Sequence, residues 1–328
     1  MRIVFDGACL GDGPVTGVVR AFLNGLAAYR DLVGGDFAVL APADTLGLLP
    51  AGVPGLAAPR GALARQWQLP GLLRRLGARV LHSSVAAVPL RAPCATIATV
   101  HDLPWLHAES GERTAWRRVF ATRLSLRAAT AVIAPSNYTL DAAARLLGDR
   151  AKLHRIPHGT ALPAARQAAP RTGPFLVLGD DRPRKNRDRV RAAHALAAQR
   201  CADLPGIRFV GPPADYVSED EKARLLRDCC AVVQASLFEG FGMPLLEALA
   251  HGAPVVCSDI PPFREIAGDA ALFVDPRDVE SIAAGLIAVT RPAARDGMAR
   301  EAQRLLGSFS ATLTAVKWRQ LHDQLADR

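Results

Sequence analysis

Short apolar runs rich in β-branched residues recur through the first half of the chain: MRIVFDG, DFAVLAPA, ARVLHSS, ATIATVHDL, AVIAPS and LHRIPHG. Between several of them lie longer stretches where apolar residues return every three or four positions, notably 17–29, 113–129 and 136–147. Runs that are apolar throughout predict strands buried on both faces, and their alternation with helices predicts a parallel, doubly wound α/β sheet. A second series follows, PFLVLGD, GIRFVG, CAVVQAS, PVVCSD and ALFVDP, with helical spacing at 187–199, 219–227 and 244–250. From Val279 the pattern reads as helix to the end, with Trp318, Leu321 and Leu325 on one face.

The two series are separated by HGTALPAARQAAPRTGP, rich in Pro and Ala without periodicity, which predicts a linker. The expected domains are therefore 1–165 and 166–328, with the last helices as candidates to return to the first. Two such sheets would face a cleft between the C-terminal ends of their strands, where loops and helix N-termini gather ligands.

Composition narrows the partners. The 328 residues carry 40 Lys+Arg against 31 Asp+Glu, net +9, and half are hydrophobic, which excludes a disordered chain. Up to residue 165 there are 18 basic and 10 acidic residues, and beyond it 22 and 21, so the excess lies in the first half. Nearly all of it is arginine, the lysines being only Lys152, Lys185, Lys222 and Lys317. Six scattered cysteines without metal-ligand spacing predict a reducing, cytoplasmic setting. Neither a leader nor a membrane-spanning run is expected from the sequence.

Stretch 112–129 (ERTAWRRVFATRLSLRAA) spaces Trp116, Phe120 and Leu124 along a helix, with Arg113, Arg117, Arg118, Arg123 and Arg127 nearby. Such a stripe ordinarily faces its own domain and leaves a solvated basic face, which is the expectation here. The alternative is an anionic membrane surface met by the arginines.

Three segments carry candidate chemistry. After the strand CAVVQAS comes SLFEGFGMPLLEALAHGAPVVCSD, in which Glu239, Gly240, Phe241 and Gly242 form a loop and Pro244 suits the first turn of a helix. Backbone N–H groups there favour an anion or a sugar hydroxyl. Glu247 follows eight positions after Glu239, and a carboxylate can accept from two vicinal hydroxyls. After PFLVLG, the turn GDDRPRKN offers Arg182, Arg184 and Lys185 at a helix start, where a diphosphate would be held. Asp180 and Asp181 are adjacent acids beside these cations, so capping or solvation explains them better than a divalent-metal site. Third, ATVHDLP sets His101 at a strand end, with His82 of VLHSS in a similar position as an acceptor-side candidate. Gly11, Gly13 and Gly17 do not have dinucleotide-fingerprint spacing, which argues against a nicotinamide domain.

The stretch from Ser236 through HGAPVVCSDIPPFREIAGDAALFVDP closely resembles the E-x7-E region of family-4 glycosyltransferases, retaining enzymes of the GT-B fold. PRKN resembles one form of that family's diphosphate loop, and HDLP its active-site histidine segment. The resemblance implies that Glu239, with the amides of Gly240, Phe241 and Gly242, holds the donor sugar, and that Glu247 takes the ribose hydroxyls. Arg184 and Lys185 would neutralise the diphosphate, His101 would lie near the donor, and Gly17 would approach it from the other domain. It further implies a nucleotide-diphospho-sugar co-substrate without metal and a glycan or polyprenyl-diphosphate-linked acceptor. Likeness to bacterial mannosyltransferases of polysaccharide and O-antigen synthesis points to GDP-mannose. A GT-B sugar-nucleotide epimerase is the nearest alternative. A nucleic-acid binder is more distant, because no reading module accompanies the charge.

Overall fold

The computed structural model describes residues 3–11, 13, 15–161, 171–213 and 215–327. The chain divides into two compact units, Met1–Leu106 with Arg113–Gly159 and Ser310–Arg328, and His107–Glu112 with Thr160–Phe309. The expected boundary at Ala165 lies outside the described residues.

Unit 1 holds a seven-stranded sheet of β1 (Ile3–Asp6), β2 (Phe37–Ala41), β3 (Gly55–Ala57), β4 (Val80–Ser83), β5 (Ala95–Thr99), β6 (Ala131–Ala134) and β7 (Leu153–Arg155). Their order is β3-β2-β1-β4-β5-β6-β7, and every pairing is parallel. The helices between them are α1 (Gly17–Val33), α2 (Ala62–Arg75), α3 (Trp116–Ala128) and α4 (Asn137–Leu147). The ends of α4 are set locally: Ser136 Oγ accepts from Thr139 N at 3.1 Å, and Gly148 closes the helix in the left-handed region.

Unit 2 holds a five-stranded parallel sheet, β8 (Phe175–Leu178), β9 (Ile207–Val210), β10 (Val232–Gln234), β11 (Val255–Ser258) and β12 (Leu272–Val274), ordered β12-β11-β10-β8-β9. Its helices are α5 (Arg187–Arg200), α6 (Glu219–Asp228), α7 (Met243–Ala250), α8 (Pro261–Ala267), α9 (Val279–Val289) and α10 (Pro292–Leu306). The last helix, α11 (Ala311–Ala326), belongs to unit 1, where Trp318, Leu321 and Leu325 join a core around Phe5, Phe22 and Phe37.

Two expectations are corrected. The tail after Val279 is three helices rather than one, since Pro292 opens α10 and the 3-10 turn Gly307–Phe309 precedes α11. Helix α3 does not bury its stripe: Trp116, Phe120 and Leu124 are exposed, while only Ser125 and Leu126 of this helix are buried. The apolar residues spaced by four lie on one side, and Val119, Thr122 and Leu126 take the inward side.

Candidate active site

In the second sheet β8 lies between β9 and β10, so the winding direction reverses between β8 and β10. The loops leaving those two strands carry the expected donor residues, which is where an open parallel sheet gathers ligand-binding loops. After β8 the chain forms a 3-10 turn, Pro183–Lys185, followed by Asn186 at φ 59°. Asn186 stands at the N-cap position of α5, but its side chain makes no capping bond. Its amide instead donates to Ala235 O at 2.9 Å and Pro276 O at 2.7 Å, tying the turn to the loop after β10. Leu237 N donates to Arg184 O at 2.8 Å, a second tie between the two loops.

These ties bring three charges together. The buried Glu239 carboxylate accepts from Lys185 Nζ at 2.6 Å, Arg184 Nη1 at 3.1 Å and Ser236 Oγ at 2.9 Å. Arg184 Nη1 also donates to Phe238 O at 3.2 Å, and its buried Nε has no hydrogen-bond partner. Burial by itself pushes the Glu239 carboxyl up, but the charges of Lys185 and Arg184 and their hydrogen bonds outweigh it and hold the group below its ordinary value. Two cations against one carboxylate leave a net positive spot in a buried setting.

The adjoining loop is also buried. Gly242 caps α7 at φ 134°, and a Cβ placed on it would stand 2.7 Å from Phe263 Cε1, so both conformation and space require glycine. Phe241 turns its side chain toward Phe309, with ring centroids 6.1 Å apart, so its ring serves packing. Glu247 is buried on α7, and Lys222 Nζ of α6 lies 3.2 Å from its Oε2 and 2.6 Å from Glu219 Oε2. Lys222 was not foreseen, because it stands 25 positions before Glu247 on another helix. The scarcity of lysine was the available signal: two of the four lysines meet these two glutamates.

Arg182 turns away from this group to pair with Asp180, its Nε at 2.9 Å from Oδ2. Among the described residues, no three His, Cys, Asp or Glu side chains group as a metal site.

His101 and Gly17 belong to unit 1. Gly17 opens α1 behind the Thr16 cap, in a turn whose Asp12 and Pro14 lie outside the described residues. His101 Nε2 lies 2.7 Å from Ser84 O and must donate, because a carbonyl only accepts; Nδ1 then accepts from His158 Nε2 at 2.9 Å. Burial lowers the pKa of both rings. Both His101 nitrogens are thus engaged within unit 1, and contact with a substrate through the ring needs one of these bonds to be given up.

The acceptor-side expectation for His82 is corrected, since the ring is fully buried in a relay whose protons can be assigned. Thr99 Oγ1 donates to Ser83 O at 2.8 Å and so accepts from His82 Nε2 at 3.3 Å. His82 Nδ1 therefore accepts from His322 Nε2 at 3.0 Å, and His322 Nδ1 from the Tyr29 hydroxyl at 2.9 Å. The relay joins α11 to β4, β5 and α1.

A family model described as Glycosyltransferase Family 4 matches residues 18–162, and one described as Glycosyl transferases group 1 matches residues 159–291. O-antigen chain mannosyltransferase B of Escherichia coli is 41% identical over 81 residues, 25% of this chain and 20% of that protein. O-antigen chain mannosyltransferase RfbU of Salmonella typhimurium is 45% identical over 65 residues, 20% of this chain and 18% of that protein. The matched stretch thus spans about a fifth of these relatives. Sucrose-phosphate synthase from Thermosynechococcus elongatus shares the fold, with a TM-score of 0.77 at 17% identity over 99% of both chains. The epimerase alternative finds no support among these relatives. With both models running in succession through 18–291 and the GT-B architecture in both units, the chain belongs to the family-4 glycosyltransferases.

Proposed function

We propose that this chain is a retaining mannosyltransferase that moves mannose from GDP-mannose to a glycan or polyprenyl-diphosphate-linked saccharide at the cytoplasmic face of a membrane. The observation that carries the reading is the buried group of Arg184, Lys185 and Glu239 between the loops leaving β8 and β10. Breaking an anomeric bond to a diphosphate builds negative charge on the leaving group, and fixed cations stabilise it without reorganising during the reaction. Arg184 and Lys185 are such cations, and the unpartnered Arg184 Nε is a further donor. Glu239, held by three donors, keeps both cations in place and orients the sugar, with the amides of Gly240 to Gly242 beside it. Glu247 takes the ribose hydroxyls. Mannose is favoured by the O-antigen mannosyltransferase relatives, and retention by membership of the family.

The test is a panel of GDP- and UDP-sugars screened for binding and for transfer, repeated with Glu239→Gln and Lys185→Ala. Each substitution is expected to lower kcat by roughly a hundredfold or more, the scale of removing one preorganised charge stabiliser. If both variants transfer sugar like the parent chain, the site assignment is wrong. If UDP-glucose is used in preference to GDP-mannose, the donor assignment fails while the site stands.

A further inference from the structure

Six of the large apolar side chains exposed among the described residues of unit 1 gather on or beside two helices. On α2, Leu63 is 78% and Trp67 is 83% exposed; on α3, Trp116 is 71% and Phe120 is 63% exposed, with Leu124 also exposed. Both helices follow one design. At 100° per residue Leu63, Trp67 and Arg74 share one side of α2, while Leu69 and Leu73 point into the core. On α3 the sector of about 120° that holds Trp116, Phe120 and Leu124 also holds Arg117, Arg123 and Arg127.

Both helices are tied to one segment. Gln66 of α2 donates to Val88 O and accepts from Leu90 N, each at 2.9 Å, and Val88 N donates to Ser125 Oγ of α3 at 2.8 Å. Leu90 in this segment is exposed as well. The charge is concentrated in the same stretch. Residues 45–140 contain 11 arginines and three acidic residues, whereas the rest of the first 165 residues balances at seven basic (six Arg and Lys152) and seven acidic. Residues 45–101 and all of α3 contain no acid.

We infer that the paired outer sides of α2 and α3 form a surface that docks on an anionic phospholipid bilayer, with Trp67, Trp116, Phe120, Leu63 and Leu124 in the headgroup layer and Arg74, Arg117, Arg123 and Arg127 on lipid phosphates. Tryptophan and phenylalanine beside long-stemmed cations suit that layer, where an apolar body and a charged tip are both accommodated. Charge selects this occupant over a second copy of the chain, since an isologous contact would set one acid-free arginine surface against another. Leucines among the rings favour lipid over nucleic acid, whose bases stack on aromatic planes but gain little from aliphatic side chains. Arg118 is not part of the surface: its guanidinium lies 4.0 Å from the centroid of the Trp105 ring, which is buried.

The surface is independent of the donor site, so its test needs no transfer reaction. The full chain is mixed with vesicles of phosphatidylcholine alone and of phosphatidylcholine with phosphatidylglycerol, and binding is followed by flotation and tryptophan fluorescence. Trp105 and Trp318 are buried, so a blue shift reports Trp67 and Trp116. Binding is expected on the anionic vesicles only, with a blue shift and release by salt. The pair Trp67→Ser/Trp116→Ser is expected to weaken it by tenfold or more, and Arg117→Gln/Arg123→Gln/Arg127→Gln by about a hundredfold, at roughly fivefold per arginine. GDP binding confirms that unit 2 is folded in each variant if the donor reading holds, and circular dichroism does so regardless. The inference is overturned by equal affinity for both vesicle types, by variants that bind like the parent chain, by a dimer that the substitutions dissociate, or by tighter binding to random oligonucleotides than to anionic vesicles.

Discussion

Glu247 illustrates how a functional carboxylate is prepared by a residue that need not touch the ligand. A buried carboxylate without a cation would carry a large desolvation cost, and Lys222, itself nearly buried, answers it from α6 while also meeting Glu219. If Glu247 accepts from ribose hydroxyls, Lys222 is a positioning residue, fixing the carboxylate so that its lone pairs meet a vicinal diol. Replacing it with methionine keeps the stem and removes the charge. Lys222→Met is expected to raise the donor KM about tenfold, the equivalent of one charge-assisted hydrogen bond, and to change kcat less. It should also erode preference for a ribose donor over its 2′-deoxyribose counterpart, and Lys222→Arg should restore part of that preference. Steady-state kinetics on the two donors measure this directly. An unchanged ratio would leave Lys222 with a structural role only.

The packing of α1 on α11 shows the same dependence on one position. A Cβ on Gly25 would collide with Trp318 Cη2, so glycine is what lets the indole lie against α1. Alanine would gain about 1 kcal/mol of helix propensity. Against that gain, the indole cannot swing aside, because Phe5 and His82 pack on it with ring centroids 5.6 and 5.0 Å away. Overpacking of this kind costs about 1–3 kcal/mol, and we expect it to win. Gly25→Ala should lower the melting temperature of unit 1 by several degrees, and Gly25→Ala/Trp318→Phe should recover part of the loss by removing the outer ring. A melt unchanged by the single substitution would mean that α11 shifts freely. Gly25 was not legible in the sequence, and the reason is general. The long strands of both sheets were, because each is an apolar run bounded by turn residues, and so were Glu239, Glu247, Arg184 and Lys185, which lie in two contiguous segments. Strand β3 was missed because it is three exposed residues at a sheet edge. Helix α2 was missed because Pro70 interrupts it and no side chain caps its start. The face of α3 was misread because spacing reveals a stripe and not the direction it points. Lys222 and the Gly25–Trp318 contact exist only once distant segments meet.

The distribution of histidines makes the two units unequal in acid. Of eight histidines, His82, His101, His154, His158 and His322 lie in unit 1, and burial lowers the pKa of all five, His322 to about 3. The Tyr29–His322–His82–Thr99 relay accounts for two of them, since each assigned ring has one donor and one acceptor nitrogen, and an added proton leaves two donors facing each other. An unfolded chain takes up these protons near pH 6.5, whereas the folded unit resists them, so stability is complete above about pH 6.5. It falls as the pH drops toward 3, by up to about 1.4 kcal/mol per pH unit for each such histidine. In unit 2 the buried Glu239 works in the other range: its lowered pKa stabilises the fold above its ordinary value of 4.5, and that contribution is lost only as the pH falls below it. Between pH 6.5 and 4.5, therefore, acid should weaken unit 1 and spare unit 2. Hydrogen exchange followed segment by segment across this range should show protection falling first in α1, α11 and β4, with β8 and β10 unchanged. His322→Gln, which keeps a side chain able to donate and accept but cannot be protonated, should flatten part of the decline. Protection lost equally in both sheets, or a decline that begins only below pH 4.5, would mean that carboxylates rather than the buried imidazoles set the acid response.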